Sequence, residues 1–95
     1  MEFAYRQPAR WKKIRDIRPE EDMWVRIAGT AVGSEEGFSI VDDGTGAARV
    51  EGELSGDVAV LGRVVPDASG FYISPVSAKN VKRELLEKVL STLDI

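Results

Sequence analysis

The stretch Trp24-Val25-Arg26-Ile27-Ala28-Gly29-Thr30-Ala31-Val32, followed after a turn by Phe38-Ser39-Ile40-Val41 and then by Asp42-Asp43-Gly44-Thr45-Gly46, decides the fold of this chain. From Met23 to Val32 the side chains alternate, with Val25, Ile27, Gly29 and Ala31 on one face and Trp24, Arg26, Ala28 and Thr30 on the other. A period of two is that of a strand that hides one face. Gly29, inside that strand, marks a bulge or the tight bend of a barrel corner, so the strand is expected to curve. Asp42 to Gly46 is a hairpin signal in which the glycines supply positive φ.

Outward from this stretch, Ala47 to Glu51 reads as a third strand. Asp57 to Val65 is apolar on both faces and predicts a more enclosed fourth strand. Pro66-Asp67-Ala68-Ser69-Gly70 closes it, and Phe71 to Ser74 opens a fifth that Pro75 limits to an edge or an end. Alternation predicts a core of Val25, Ile27, Phe38, Ile40, Val50, Val58, Val60, Val64, Phe71 and Ile73. After Pro75 the period lengthens: Val81, Leu85, Leu86, Val89, Leu90 and Leu93 form an apolar stripe at helical spacing, with Asn80 as its expected N-cap. The expected organisation is a basic arm over residues 1–18, an all-β barrel over 19–78 and an amphipathic helix over 79–95.

Composition narrows the function classes. Ninety-five residues accommodate one core, and no apolar run is long enough to cross a bilayer. The chain has no Cys and no His, which removes disulfides, thiolate chemistry and the commonest general base and zinc ligand. An enzyme is therefore not expected, and neither is a cofactor. No export signal is visible in MEFAYRQPARWKK, so an intracellular location is expected. Charge is uneven: residues 1–18 hold six basic and two acidic side chains, whereas the rest hold seven basic and fourteen acidic. Such an arm suits a phosphate backbone or an acidic protein surface, or is simply solvated.

Five short curved strands around a DDGTG hairpin, with an amphipathic terminal helix, resemble the OB-fold, a five-stranded Greek-key barrel. Over residues 14 to 93 the chain is similar to the small and middle subunits of replication protein A and their archaeal and telomeric relatives. Trp24 to Val32, Phe38 to Gly46 and Leu61-Gly62-Arg63-Val64 carry the likeness. The resemblance implies a non-catalytic subunit of a single-stranded-DNA-binding complex, joined to larger OB-fold subunits by its C-terminal helix. Single-stranded DNA is then expected to be bound weakly or through the complex, and the location to be nucleoid-associated cytoplasm in an archaeon or the nucleus in a eukaryote. Where DNA-binding members carry stacking aromatics, this chain has Glu51-Gly52 and Pro66-Asp67, and its first loop adds Glu35 and Glu36. A groove of that kind is expected to be poor for DNA, since base stacking is worth about 1–3 kcal/mol per base.

The candidate nucleic-acid-binding residues are Arg10, Trp11, Lys12, Lys13, Arg26, Arg49, Arg63 and Tyr72. Arg26, Arg49 and Arg63 come from three strands and either align as a phosphate-tracking stripe beside Tyr72 or pair with Glu51, Glu53 or Asp57. Trp11 and Trp24 are candidates to staple the arm onto the barrel, Trp24 by packing in the core or as a cap, with a DNA or partner contact as the alternative for Trp11. Asp42 and Asp43 read as turn residues rather than a metal pair, because adjacent strand residues point to opposite faces. The candidate partner interface is Val81, Leu85, Leu86, Val89, Leu90 and Leu93, unless the helix is consumed by its own barrel. The alternative function is a stand-alone module that binds single-stranded nucleic acid.

Overall fold

Two glycines let the long strands bend into a ring. A Cβ on Gly29 would lie 2.6 Å from the Asp42 carbonyl oxygen, and one on Gly62 would lie 2.5 Å from Ile73 Cγ2 and 2.8 Å from the Ser74 carbonyl oxygen. Only glycine permits backbone and side chain to approach so closely at these points. The computed structural model describes residues 10–93 and contains β1 (Trp24–Glu35), β2 (Phe38–Asp42), β3 (Ala47–Glu51), β4 (Gly56–Asp67), β5 (Gly70–Asn80) and α1 (Arg83–Leu93), preceded by one 3-10 turn at Ile14–Asp16. The strands close a barrel in the order β1-β2-β3-β5-β4. β4 runs antiparallel to β1 from Trp24↔Arg63 to Ala31↔Gly56, and β2 takes the opposite edge of β1 only from Thr30 onward. The parallel contact of β3 with β5 at Val50↔Ile73 completes the ring.

Inside the barrel lie Val25, Ile27, Val41, Ala48, Val50, Val58, Val60, Val64 and Ile73, as one-face alternation demands, with Phe71 packed partly against them. The second strand departs from the expected core. Ser39 and Val41 point inward, both at 0% exposure, while Phe38 and Ile40 lie half-buried on the outer face. A bulge in β1 between Ala31 and Gly33 accompanies this register. Ser39 tolerates burial because its hydroxyl donates to the Gly52 carbonyl (2.8 Å) and accepts from the Leu54 N–H (2.7 Å).

β5 also continues past Pro75 instead of ending there. The missing N–H is absorbed at a second bulge, where the pairing jumps from Gly62↔Pro75 to Leu61↔Ser77. As a result Asn80 is the last residue of β5, not an N-cap: its side-chain amide donates to the carbonyls of Ser55 (2.6 Å) and Asp57 (3.3 Å).

The segment expected to form a basic arm contributes to the barrel over its described residues. Residues 1–9 lie outside the described residues, but Arg10 and Lys12 hydrogen-bond to Arg26 on the edge of β1 that β2 leaves open. Beyond them Ile14 and Ile17 are buried, at 4% and 7% exposure, as members of the barrel core. The DDGTG hairpin locks them in place, with Asp43 Oδ2 accepting the Ile14 N–H at 2.8 Å.

Candidate nucleic-acid interface

Outward-pointing side chains build two distinct surfaces. The first spans β2, β3 and β5. Phe38 and Tyr72 meet edge-to-face at 5.2 Å between ring centroids, and the Arg49 guanidinium lies 5.3 Å from the Phe38 ring. An aromatic pair beside a cation is a base-stacking platform in chemical terms. Alternation in the sequence places Phe38 in the core, which hides this platform.

Charge around that platform opposes phosphate. Arg49 is tied down by Asp67 (2.6 Å), the Ser69 hydroxyl (2.7 Å) and the Phe71 carbonyl (3.1 Å), so it braces the β4–β5 loop. The hydrogen bond from Arg49 holds the Asp67 carboxyl below the usual carboxylate range, with Ser69 adding to the effect. Beside Phe38, an open cleft of about 420 Å³ is walled by Glu35, Glu36 and Glu53. Glu51 on β3 accepts from the Ser74 hydroxyl at 3.3 Å.

The second surface spans the N-terminal segment, β1 and β4. Trp11 forms a parallel bridge with Arg26, whose guanidinium lies 5.9 Å from the Trp11 ring. Trp24 pairs directly with Arg63. Trp11 thus joins the segment to the edge of β1, and Trp11 and Trp24 stay 38% and 42% exposed, presenting side-chain surface to solvent. The three arginines do not form one stripe. Arg26 and Arg63 are diagonal neighbours on β1 and β4, whereas Arg49 sits on β3, separated from β4 by β5. Of the remaining candidates, Arg10 is exposed, and Lys12 forms an ion pair with Asp22 at 2.9 Å. Burial raises the Asp22 carboxyl, but hydrogen bonds from the Arg18 N–H and from Lys12 outweigh it and leave its pKa lowered. Lys13 is half-buried near the 3-10 turn.

Asp42 and Asp43 serve the turn. Asp42 accepts the Gly44 N–H (2.7 Å), while Asp43 Oδ1 accepts the Thr45 N–H (2.8 Å) and hydroxyl (2.6 Å). Among the described residues no cluster of three or more acidic groups is arranged to hold a metal ion.

α1 packs on the outside of β1 and β4. Leu86 is buried at 3% exposure, yet it is not among the side chains that fill the barrel. The root of the helix is pinned: Arg83 pairs with Asp57 at 2.8 Å, Asp57 accepts the Thr30 hydroxyl at 2.8 Å, and the Val81 N–H donates to the Asp57 carbonyl. Of the candidate interface, Leu86 is thus spent on its own barrel. Val81, Val89, Leu90 and Leu93 are half-buried, and Leu85 is 49% exposed.

A closed five-stranded barrel of this order, with one C-terminal helix, is an OB-fold. Among solved structures it is similar to a chain of the crystal structure of the S. pombe Stn1-ten1 complex. The match has a TM-score of 0.63 and 20% sequence identity, and covers 74% of this chain and 67% of that one. At that identity the shared feature is the fold. No protein-family model and no curated protein matches the sequence.

Proposed function

We propose that the chain is a non-catalytic subunit of a replication protein A-like assembly that binds single-stranded nucleic acid, and that α1 joins it to larger OB-fold subunits. One observation carries the reading. Leu86 alone of the helical stripe is buried, while Leu85 is half exposed and Val89, Leu90 and Leu93 are incompletely covered. An apolar strip left in water is a liability that helix-on-helix packing removes, in the coiled-coil-like geometry of about 8–10 Å between axes. The fold likeness to a chain of a two-protein complex supports the same reading. Lack of His and Cys supports a binding role over catalysis.

Sedimentation velocity tests the helix. The isolated chain is expected to self-associate, and Leu85→Glu with Leu93→Glu is expected to give a monodisperse monomer with unchanged circular dichroism. A wild-type chain that stays monomeric at every concentration, alone and with its partners, contradicts the reading. The exposed tryptophans favour a second one, a self-sufficient nucleic-acid-binding module, which predicts a monomer whose affinity falls steeply with salt.

A further inference from the structure

We infer that a single-stranded polynucleotide crosses the β1–β4–β5 face, over Trp24 and Trp11, instead of the β2–β3 groove. The inference rests on the nucleic-acid part of the proposed function and names its surface. Cross-strand register assembles the face in three rows. Trp24 lies opposite Arg63, Arg26 opposite Leu61 and then Ser77, and Ala28 opposite Ala59 and then Lys79. Opposed side chains in such rows stand about 4.5–5.5 Å apart at Cβ, and rows two residues apart are roughly 6.8 Å from each other. Trp11 extends the middle row through its bridge to Arg26. A shallow pocket of about 210 Å³ opens there, walled by Trp11, Arg26, Leu61 and Lys79 and by no carboxylate.

Charge and ring surface together select the occupant. Among the described residues, Arg26, Arg63 and Lys79 are exposed and take part in no ion pair. Two carboxylates near it in sequence are engaged elsewhere: Asp57, two residues before Ala59, holds Arg83, and Asp22, two residues before Trp24, holds Lys12. Three unneutralised cations around two partly exposed indoles fit a ligand that is polyanionic and carries flat π faces. An acidic or apolar peptide uses one of these features, and a single-stranded polynucleotide uses both. The groove beside Phe38 offers the opposite balance, with its arginine neutralised by Asp67 and three glutamates on the neighbouring cleft.

The test is a titration of the full chain with oligo-dT and, in parallel, oligo-rU, read by quenching of its two tryptophans and by anisotropy of a labelled oligomer. Binding in the range of about 10⁻⁴ to 10⁻⁶ M at physiological salt, tightening as salt is lowered, is expected for at least one oligomer, and the two arms tell DNA from RNA. Trp24→Ala is expected to weaken it roughly 5- to 150-fold, and Trp24→Phe to retain it, since a phenyl ring still stacks. Arg63→Gln with Lys79→Gln should flatten the salt slope by about 1.4, or about 0.7 for each lost phosphate contact. Phe38→Ala with Tyr72→Ala should leave the affinity within a factor of about two. Two results overturn the inference: binding abolished by the Phe38/Tyr72 pair but untouched by Trp24→Ala, or no binding of either oligomer at low salt. The first leaves the assembly reading standing, because that reading depends on the mass of the complex, and a monomer that binds at this face removes the assembly reading alone.

Discussion

Replacing Asp43 separates the turn that this residue builds from the N-terminal segment that it anchors. Its carboxylate is 7% exposed, with Oδ1 accepting from Thr45 and from the Gly46 N–H (3.3 Å) and Oδ2 accepting the Ile14 N–H at 2.8 Å. Ile14 is itself 4% exposed, so its N–H has no ready access to water once the acceptor is gone. Leaving a buried donor unsatisfied costs about 1–3 kcal/mol, and the partly exposed turn bonds add roughly 1 kcal/mol. Asp43→Ala is therefore expected to cost about 2–4 kcal/mol. Asp43→Asn keeps an oxygen for the turn but turns an amide toward the Ile14 N–H, donor against donor, and should retain most of the cost, about 1–3 kcal/mol. For a domain of this size each kcal/mol moves Tm by about 4–8 °C. Thermal unfolding followed by circular dichroism reads both variants, with Asp42→Ala as a control whose loss of one exposed bond should cost under about 1 kcal/mol. An Asp43→Asn protein as stable as wild type would refute the anchoring role and return Ile14 and Ile17 to a loosely held arm.

Three further outcomes follow from the packing and the ion pairs. Gly62→Ala should destabilise by about 1–3 kcal/mol or more because its methyl meets Ile73 and backbone atoms of Ser74 and Pro75, whereas Gly33→Ala, with nothing within 4 Å, should be nearly neutral; urea titration compares them. Leu86→Ala should cost about 2–5 kcal/mol, and Leu85→Ala, at 49% exposure, under roughly 0.5 kcal/mol in the isolated subunit, again by urea unfolding. Asp22 and Asp67 have folded pKa values below their unfolded ones, so their contribution is complete above the unfolded value of about 3.9 and disappears as pH falls through the folded values. Tm from these pairs should be level between neutral pH and about 5 and decline below about 4, and Asp22→Asn with Asp67→Asn should make that decline shallower.

Strands whose two faces differ in chemistry were legible in the sequence. Val25 and Ile27 alternate with Trp24 and Arg26, and both sets lie where the alternation puts them. β2 offered no such contrast: Phe38, Ile40 and Val41 place apolar side chains on both parities, and polar Ser39 argued for the wrong one. The buried Ser39 hydroxyl donates to the Gly52 carbonyl and accepts from the Leu54 N–H, a pairing that supports this register and that no local pattern displays. No local pattern marks Ile14 and Ile17 as core, because bases surround them and Asp43, which anchors Ile14, is 29 residues away. Pro75 read as a strand end because the bulge opposite Gly62, which accommodates it, exists only in the paired strands. Of the candidate site, the residue types were legible and their grouping was not. The separation of Arg49 from Arg26 and Arg63 follows from β5 lying between β3 and β4, a matter of topology.

Isolation of the tagged chain from its native source, with the mass and composition of the assembly measured, tests the central claim most directly. The account predicts a stoichiometric complex with at least one larger OB-fold protein that binds single-stranded nucleic acid, and its loss when Leu85 and Leu93 are replaced by Glu. A chain recovered as a folded monomer, or a complex that persists unchanged in that double variant, contradicts it.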